Sequence, residues 1–317
     1  MVSSTPPLSG KTKIIQINLQ HSQTATASLR RVLENNTQTI SLIQEPWIRK
    51  NRICGLGNSG GKLLLDTSVS KPRTCILVPK HVPTLLINEF CSRNLTAVRL
   101  TRTEQHLPDI VLASAYLPSD EDIPTPELNL LVEFCEREKL DLVIAADSNA
   151  HHTLWGNGKC NNRGEEMLHF IFSNNLTLIN KGSEPTFINA RSQTIIDLTL
   201  TTVGISESVC DWHVSNEISC SDHRWIRFSI NMELPKPQPR RIPRRTDQHK
   251  FLTLVREKFD NQLPLLDDLA VTDLDDSANY ITSILTSSYE QSCALTTPQY
   301  GGGNTGGVQN WKDTVVS

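Results

Sequence analysis

The chain has 317 residues, 38% hydrophobic and 21% charged, with a net charge of −3. These figures fit one large globular domain or two small ones; no apolar run is long enough to cross a membrane. The negative balance excludes a chain that is basic throughout, so any contact with nucleic acid must rest on a local site. The polar N-terminus, MVSSTPPLSGKTK, has no apolar signal core, which places the protein in the nucleus or cytoplasm and not in the secretory route. The eight cysteines are scattered without a C-x-x-C pair, as expected for free, mostly buried thiols and not for a zinc or disulfide framework. The sequons at Asn35, Asn94 and Asn175 carry no weight outside a secretory route.

In chain order, KIIQINL (13–19) reads as a buried strand, and SLRRVLENN (28–36) as a short helix with Leu29 and Leu33 on one face. TISLIQE (39–45) is a second strand, stopped by Pro46. KLLLDT (62–67) and RTCILVP (73–79) flank a polar turn, as an antiparallel pair does. NLTAVRLT (94–101) alternates, and DIVLASAYLP (109–118) is apolar until Pro118. A helix is expected from Thr125, with Thr125 as N-cap, Pro126 at the first helical position, and Leu128, Leu131, Val132 and Cys135 inward. DLVIAAD (141–147) is a short strand, and 163–174 a helix with Met167, Leu168 and Ile171 inward. IIDLTLTT, CDWHVSN and RWIRFSI supply the last strands. Such mixed order argues for α/β sheets covered by helices and against a simple doubly wound sheet.

After about Asn231 the composition changes. Residues 233–248, with PKPQPRRIPRR inside them, read as a basic Pro-rich linker. Residues 249–295 return to helical spacing. The tail 296–317 contains GGGNTGG and is expected to be flexible, as are residues 1–12.

The chemistry-bearing side chains fall at strand ends, where rigid scaffolds usually present functional groups. They are Asn18, Glu45, Tyr116, Asp147 with Asn149, and Asp222 with His223, while Asp197 sits inside the apolar strand IIDLTL. Singly, an Asn at a strand end or a Glu before Pro is an ordinary turn residue. Asp197 differs: flanked by Ile195, Ile196, Leu198 and Leu200, it must be at least half-buried and needs a partner.

Taken together, QINLQHS, LIQEPW, ASAYLPSD, ADSNAHHTLWG, RGEEMLHFI, TIIDLTLTT and SDHRWIRF resemble the successive motifs of the endonuclease/exonuclease/phosphatase superfamily. Within it they are most similar to the apurinic-endonuclease-like domain of non-LTR retrotransposons. The resemblance spans about residues 13–231, so the catalytic domain is expected over 13–232.

It implies a DNase I-like four-layer sandwich, two mixed β-sheets flanked by helices. It implies a magnesium-dependent endonuclease, with manganese as a possible substitute, that nicks double-stranded DNA and leaves 3′-hydroxyl and 5′-phosphate ends. By the same resemblance Glu45, Asn18 and Asp222 hold the metal. Asp147 and Asn149 orient the attacking water, His223 touches the scissile phosphate or acts as base, Asp197 fixes its ring, and Tyr116 steadies the phosphate. His151, His152, Trp155 and Arg163 are candidate substrate contacts, as is Trp47; packing is the plain alternative for the tryptophans. How proton transfer divides between Asp147 and His223 stays open.

Two positions depart from the family pattern: Ala146 stands where a glycine is usual and Ser148 where an aromatic is usual, which could loosen the packing behind Asp147. In the resembling elements a reverse transcriptase domain follows, so with a chain ending at Ser317 that partner is expected from a full-length element. The competing readings are a phosphatase or lipid phosphodiesterase on the same fold, disfavoured by NAHHTLWG, and a non-catalytic nucleic-acid-binding remnant, disfavoured by the intact polar positions.

Overall fold

The computed structural model describes residues 10–36, 38–57, 61–103, 106–235, 239–260 and 274–296. The expected flexible N-terminus and tail lie outside these residues but for their inner ends. The residues up to 235 and those from 239 to 296 form two separate compact units.

The first unit contains two six-stranded sheets. Sheet one is built from β1 (Thr12–Asn18), β2 (Ile40–Gln44), β5 (Gly61–Leu64), β6 (Thr74–Pro79), β15 (Val209–Val214) and β16 (Ile226–Ile230), in the order β15-β16-β1-β2-β6-β5. Sheet two is built from β7 (Thr84–Leu86), β8 (Leu95–Leu100), β9 (Ile110–Tyr116), β10 (Asp141–Asp147), β11 (Leu176–Leu178) and β14 (Asp197–Thr202), in the order β11-β14-β10-β9-β8-β7. Both are mixed, because β1 runs parallel to β2 and β9 parallel to β10 while their other pairings are antiparallel. Two small hairpins sit outside the sheets: β3 (Ile48–Arg49) with β4 (Arg52–Ile53), and β12 (Phe187–Ile188) with β13 (Gln193–Thr194).

Three apolar cores make four layers. Ile14, Leu42 and Ile76 of sheet one meet Leu112, Val143 and Val98 of sheet two. Helix α1 (Gln23–Glu34) covers the outside of sheet one through Ala25, Leu29 and Leu33. Helices α2 (Pro126–Arg137) and α3 (Asn162–Ser173) cover sheet two through Leu128, Leu131, Met167 and Phe170. This is the two-sheet, helix-flanked sandwich that the motifs imply.

The inner faces are not wholly apolar. Gln16 on β1 donates to the carbonyls of Ala146 and Leu198, at 3.4 and 3.2 Å, and accepts the Thr199 hydroxyl at 2.9 Å. Gln44 on β2 donates to Ser114 Oγ and to the Ala145 carbonyl, both at 3.0 Å. Both side chains are fully buried, so these bonds tie one sheet to the other in a low-dielectric layer.

Several local readings are corrected. Helix α1 starts at Gln23, five residues before the expected Ser28, because Ser22 caps it by accepting the Ala25 N–H. Thr125 occupies the N-cap of α2, yet its side chain makes no capping bond; Pro126 and the backbone start the helix. Leu168 is half-buried and packs against the core, and Phe170 joins Met167 and Ile171 among the fully buried residues. Asp197 opens β14 instead of lying within it. All eight cysteines are free, but only Cys75, Cys135 and Cys293 are buried, since Cys160 and Cys220 fall in loops.

In the second unit, helices cover Gln248–Asp260 and Leu274–Ser292. Arg240 and Arg241, inside the expected linker, pair with Thr296 and Leu295, and Arg241 donates to the Cys293 carbonyl. No described helix is long and apolar enough to cross a membrane.

Candidate active site

The strand registers explain how distant residues converge. Asn18 ends β1 beside Gln44, the end of β2, and Glu45 is the next residue. In sheet two, Asp147 ends β10 between Tyr116 on β9 and Asp197 on β14. The ends of both sheets therefore meet at one place.

Side-chain contacts cross from sheet to sheet there. The Asn18 amide donates to Asp147 Oδ2 at 2.7 Å and to Glu45 Oε2 at 3.2 Å. The His223 Nδ1–H donates to Asp197, 2.9 Å from Oδ2 and 3.1 Å from Oδ1, which fixes the orientation of the ring. The opposite nitrogen, Nε2, lies 3.8 Å from Asp147 Oδ2. Phe187 meets the His223 ring edge-on at 4.9 Å, closing one side. Asn18, Asp147, Asp197 and His223 are all at most 4% exposed.

This burial governs the electrostatics. It raises the Asp147 carboxyl to about 7; the His223 charge opposes that rise, and Asp197 adds to it. For His223, burial lowers the pKa, but Asp197 and then Asp147 outweigh it and lift the ring to about 9. Two carboxylates facing each other across a strand pair would repel; the imidazolium between them offsets that repulsion. Asp147 Oδ1 has no hydrogen-bond partner, an unusual state for a buried carboxylate oxygen.

Glu45 lies in more open surroundings. Its backbone is left-handed, with φ 44°, which costs a non-glycine residue roughly 1–2 kcal/mol. Two backbone bonds hold it: its N–H donates to the Arg73 carbonyl at 2.7 Å, and its carbonyl accepts the His21 N–H at 2.8 Å. Its carboxylate pairs with Arg73 at 2.5 Å and lies 3.5 Å from His21 Nε2. The Arg73 guanidinium stacks over the Tyr116 ring at 3.6 Å. Burial and then the Glu45 charge raise the Tyr116 phenol above its ordinary value.

The remaining expected residues are placed differently. Asp222 is exposed and bound to Gln20, whose amide donates to Oδ2 at 3.2 Å and accepts the Asp222 N–H at 2.9 Å. Asn149, with φ 51°, donates to the Leu117 carbonyl at 3.1 Å. Trp155, read as a substrate contact, is 2% exposed and donates to the Ala150 carbonyl; it is core. Arg163 is committed to backbone: its guanidinium holds the Ser148, Glu121 and Leu117 carbonyls. His151 is half-buried, and its own backbone bonds Asn161. His152 accepts the Leu154 N–H at Nδ1, so Nε2 carries the proton toward Glu165 at 3.5 Å. His152, Cys160 and Glu165 have ligand-forming atoms within 4.8 Å, but His152 Nε2 carries a proton toward Glu165 and is not a free ligand atom.

The two departures from the family pattern are accommodated. Ala146 is buried in extended strand, and Ser148 fills its place by donating to the Ile196 carbonyl at 2.7 Å. Sequence reading missed Arg73, Gln20, Gln16, Gln44 and Phe187. Gln16, Gln20 and Gln44 lie inside quoted motifs, and Arg73 is a lone cation opening an apolar strand, a signal no sharper than any solvated surface residue.

Residues 110–227 match the family model described as endonuclease-reverse transcriptase. The endonuclease domain of TRAS1, a telomere-specific non-LTR retrotransposon, has 24% identity over 70% of this chain and 99% of its own, with TM-score 0.59. The AP endonuclease LMAP from Leishmania major has 12% identity over 71% of this chain and 88% of its own, with TM-score 0.57. A Neisseria 3′ phosphatase, NExo, solved with product DNA hairpin, has 16% identity over 69% of this chain and 99% of its own, with TM-score 0.51. No curated protein matches the chain. The resemblance read from the motifs stands as a likeness of fold: the first unit has the fold of the solved endonuclease domains above, and its buried Asp147–Asp197–His223 cluster could hold a metal.

Proposed function

We propose that this domain hydrolyses a phosphodiester in one strand of double-stranded DNA, with a magnesium ion, or manganese in its place, and leaves 3′-hydroxyl and 5′-phosphate ends. The observation that carries this reading is the Asn18 amide bridging Asp147 and Glu45 from opposite sheets, beside the buried Asp197–His223 pair.

The donor set suits a hard cation. It offers carboxylate and amide oxygens and one imidazole, and Asp147 Oδ1 is buried without a partner. Asp197 has both oxygens on the His223 ring, so Glu45 and Asn18 are the better ligands, with Asp222 at the rim, and the unpartnered Asp147 Oδ1 is left for the attacking water. A bound divalent cation supplies charge neutralisation at the phosphodiester and polarises the leaving oxygen.

The residues of this chain divide the remaining work. His223, with its pKa lifted to about 9, is a cation at neutral pH and donates Nε2–H to the phosphate oxygens. Asp197 holds that ring in place. Asp147, raised to about 7, can accept the proton of the attacking water near neutrality. Tyr116, kept neutral by its raised pKa, donates its hydroxyl hydrogen to the phosphate.

Purified full-length protein is incubated with supercoiled plasmid, with and without magnesium. Open circles are expected only with the metal, and a polymerase lacking 3′-exonuclease activity should extend them without phosphatase treatment. Undiminished nicking in EDTA, or ends that extend only after a 3′-phosphatase, would overturn the assignment.

A further inference from the structure

Beside Glu45 the surface sinks into a cavity of about 350 Å³ whose lining includes His21, Ile48, Lys50, Lys71, Arg73 and Arg93. Four fixed cations thus converge in a chain of net charge −3, and no carboxylate is among the lining residues. Glu45 offsets Arg73, which leaves Lys50, Lys71 and Arg93 as like charges gathered at one place, and these repel unless an anion offsets them.

The cations are held there by backbone. Arg93 Nε donates to the Lys71 carbonyl at 3.3 Å, and the Arg73 N–H donates to the Arg93 carbonyl at 2.6 Å. Lys50 is presented by the tight β3–β4 turn, where Lys50 and Asn51 both have positive φ, 49° and 60°. Lys71 also has positive φ, 50°. Three strained non-glycine positions on one rim mark a surface shaped for contact. Arg73 spends one nitrogen on Glu45 and its face on Tyr116, which joins the cavity directly to the proposed site.

We infer that this cavity is a second phosphate subsite, which takes a backbone phosphate of the nucleic-acid strand next to the one being cut. The inference rests on the reading of the neighbouring site as a phosphodiesterase. A strand lying across Glu45 must place its next phosphates a few ångströms away, and this is the cation-lined hollow contiguous with Glu45. Lys50, Lys71 and Arg93 contribute charge there without touching the reacting atoms, so they position the strand.

The test compares the full chain with the Lys71→Gln/Arg93→Gln variant on a duplex oligonucleotide, with Ca²⁺ replacing Mg²⁺ for binding and Mg²⁺ restored for cleavage. Lys80→Gln, at the opposite end of β6, is the control with a charge change at a single site away from the cavity. The double variant should weaken binding severalfold and flatten the dependence of log K on log salt by about 1 for each phosphate it no longer neutralises. Its cleavage rate at saturating protein should change much less. In a series of duplexes with single neutral methylphosphonates, one position should weaken the native protein and leave the double variant unaffected. Inorganic phosphate at matched ionic strength should preserve the difference between native and variant; if it abolishes the difference, the cavity serves a free anion and the inference falls. Unchanged affinity and salt slope with cleavage intact would overturn the subsite and leave the nuclease reading standing. A slope flattened as expected, on a duplex that is never cut, would support the subsite and sink the nuclease reading.

Discussion

The two halves of the site are built on opposite terms. Asp147, Asp197 and His223 are at most 4% exposed, and the polar contacts of their side chains are with one another and with Asn18. Glu45 is partly open to solvent, held by Arg73 and flanked by a cation-lined cavity. In the buried half a proton is the exchangeable partner, because low dielectric makes each protonation state costly to change. In the open half the exchangeable partners are larger and charged, a metal ion and a phosphate backbone. Chemistry and recognition are thus separated by the Asn18 amide that touches both.

Removing a buried charge tests this division most severely. Asp147→Ala and His223→Ala should each lower single-turnover nicking at saturating magnesium by at least about 100-fold. A loss that added magnesium restores would place both residues on the metal side and erase the distinction. Glu45→Ala should abolish most activity at low magnesium and regain part of it as magnesium rises. Thermal melting should show the fold intact, since Glu45 is partly exposed. A flat magnesium response would break the comparison from the other side.

Asp197→Asn should cost less turnover than His223→Ala, and the pair of changes should be non-additive. It also has a signature in stability. His223 has a folded pKa of about 9 against an ordinary 6.5, so its contribution is full below about pH 6.5 and is lost as pH rises through 9. Urea midpoints of the native protein should therefore fall between pH 6.5 and 9. In Asp197→Asn, which lacks the strongest raising charge, the fall should be shallower. Parallel slopes would mean that Asp197 does not set the ring's titration.

The smallest effect concerns the second unit. A protein ending at residue 233 should keep cleavage within severalfold of the full chain and lose only salt-sensitive, sequence-independent affinity from Arg240, Arg241, Arg244 and Arg245. Unfolding on truncation would place the boundary elsewhere.

The polar residues at strand ends were readable because their neighbours were emphatic. QEPW and IIDLTL set a carboxylate against Pro or a run of aliphatics, and a buried acid demands a partner. The layered fold came with the family resemblance that the motifs carry; the mixed strand and helix order argued only for sheets covered by helices. What lay beyond reach was anything assembled from separate stretches. Arg73, Lys71, Lys50 and Arg93 are unremarkable cations until the β3–β4 turn and the ends of β6 and β8 bring them together. Trp155 and Arg163 failed for a related reason: a Trp or Arg in a motif reads the same whether it faces DNA or holds its own backbone. Gln16 and Gln44 sit among aliphatics, and only the opposite sheet reveals their partners.

Those two glutamines set a limit on how far the sequence can drift. Most inward positions are Ile, Leu or Val, which exchange for one another at modest cost when volume is kept. A core of that kind fixes which face of a strand points inward but is lenient about sliding by a full pleat. Such a slide of two residues would carry Asn18 about 7 Å along its strand, past both Asp147 and Glu45. Gln16, bonded to the carbonyls of Ala146 and Leu198, is two residues from Asn18 and touches the neighbours of both buried carboxylates. Placement of the reacting groups is therefore recorded away from them, one pleat deeper in the sandwich. A lineage could keep every residue of the site and still lose alignment by changing a single interior amide.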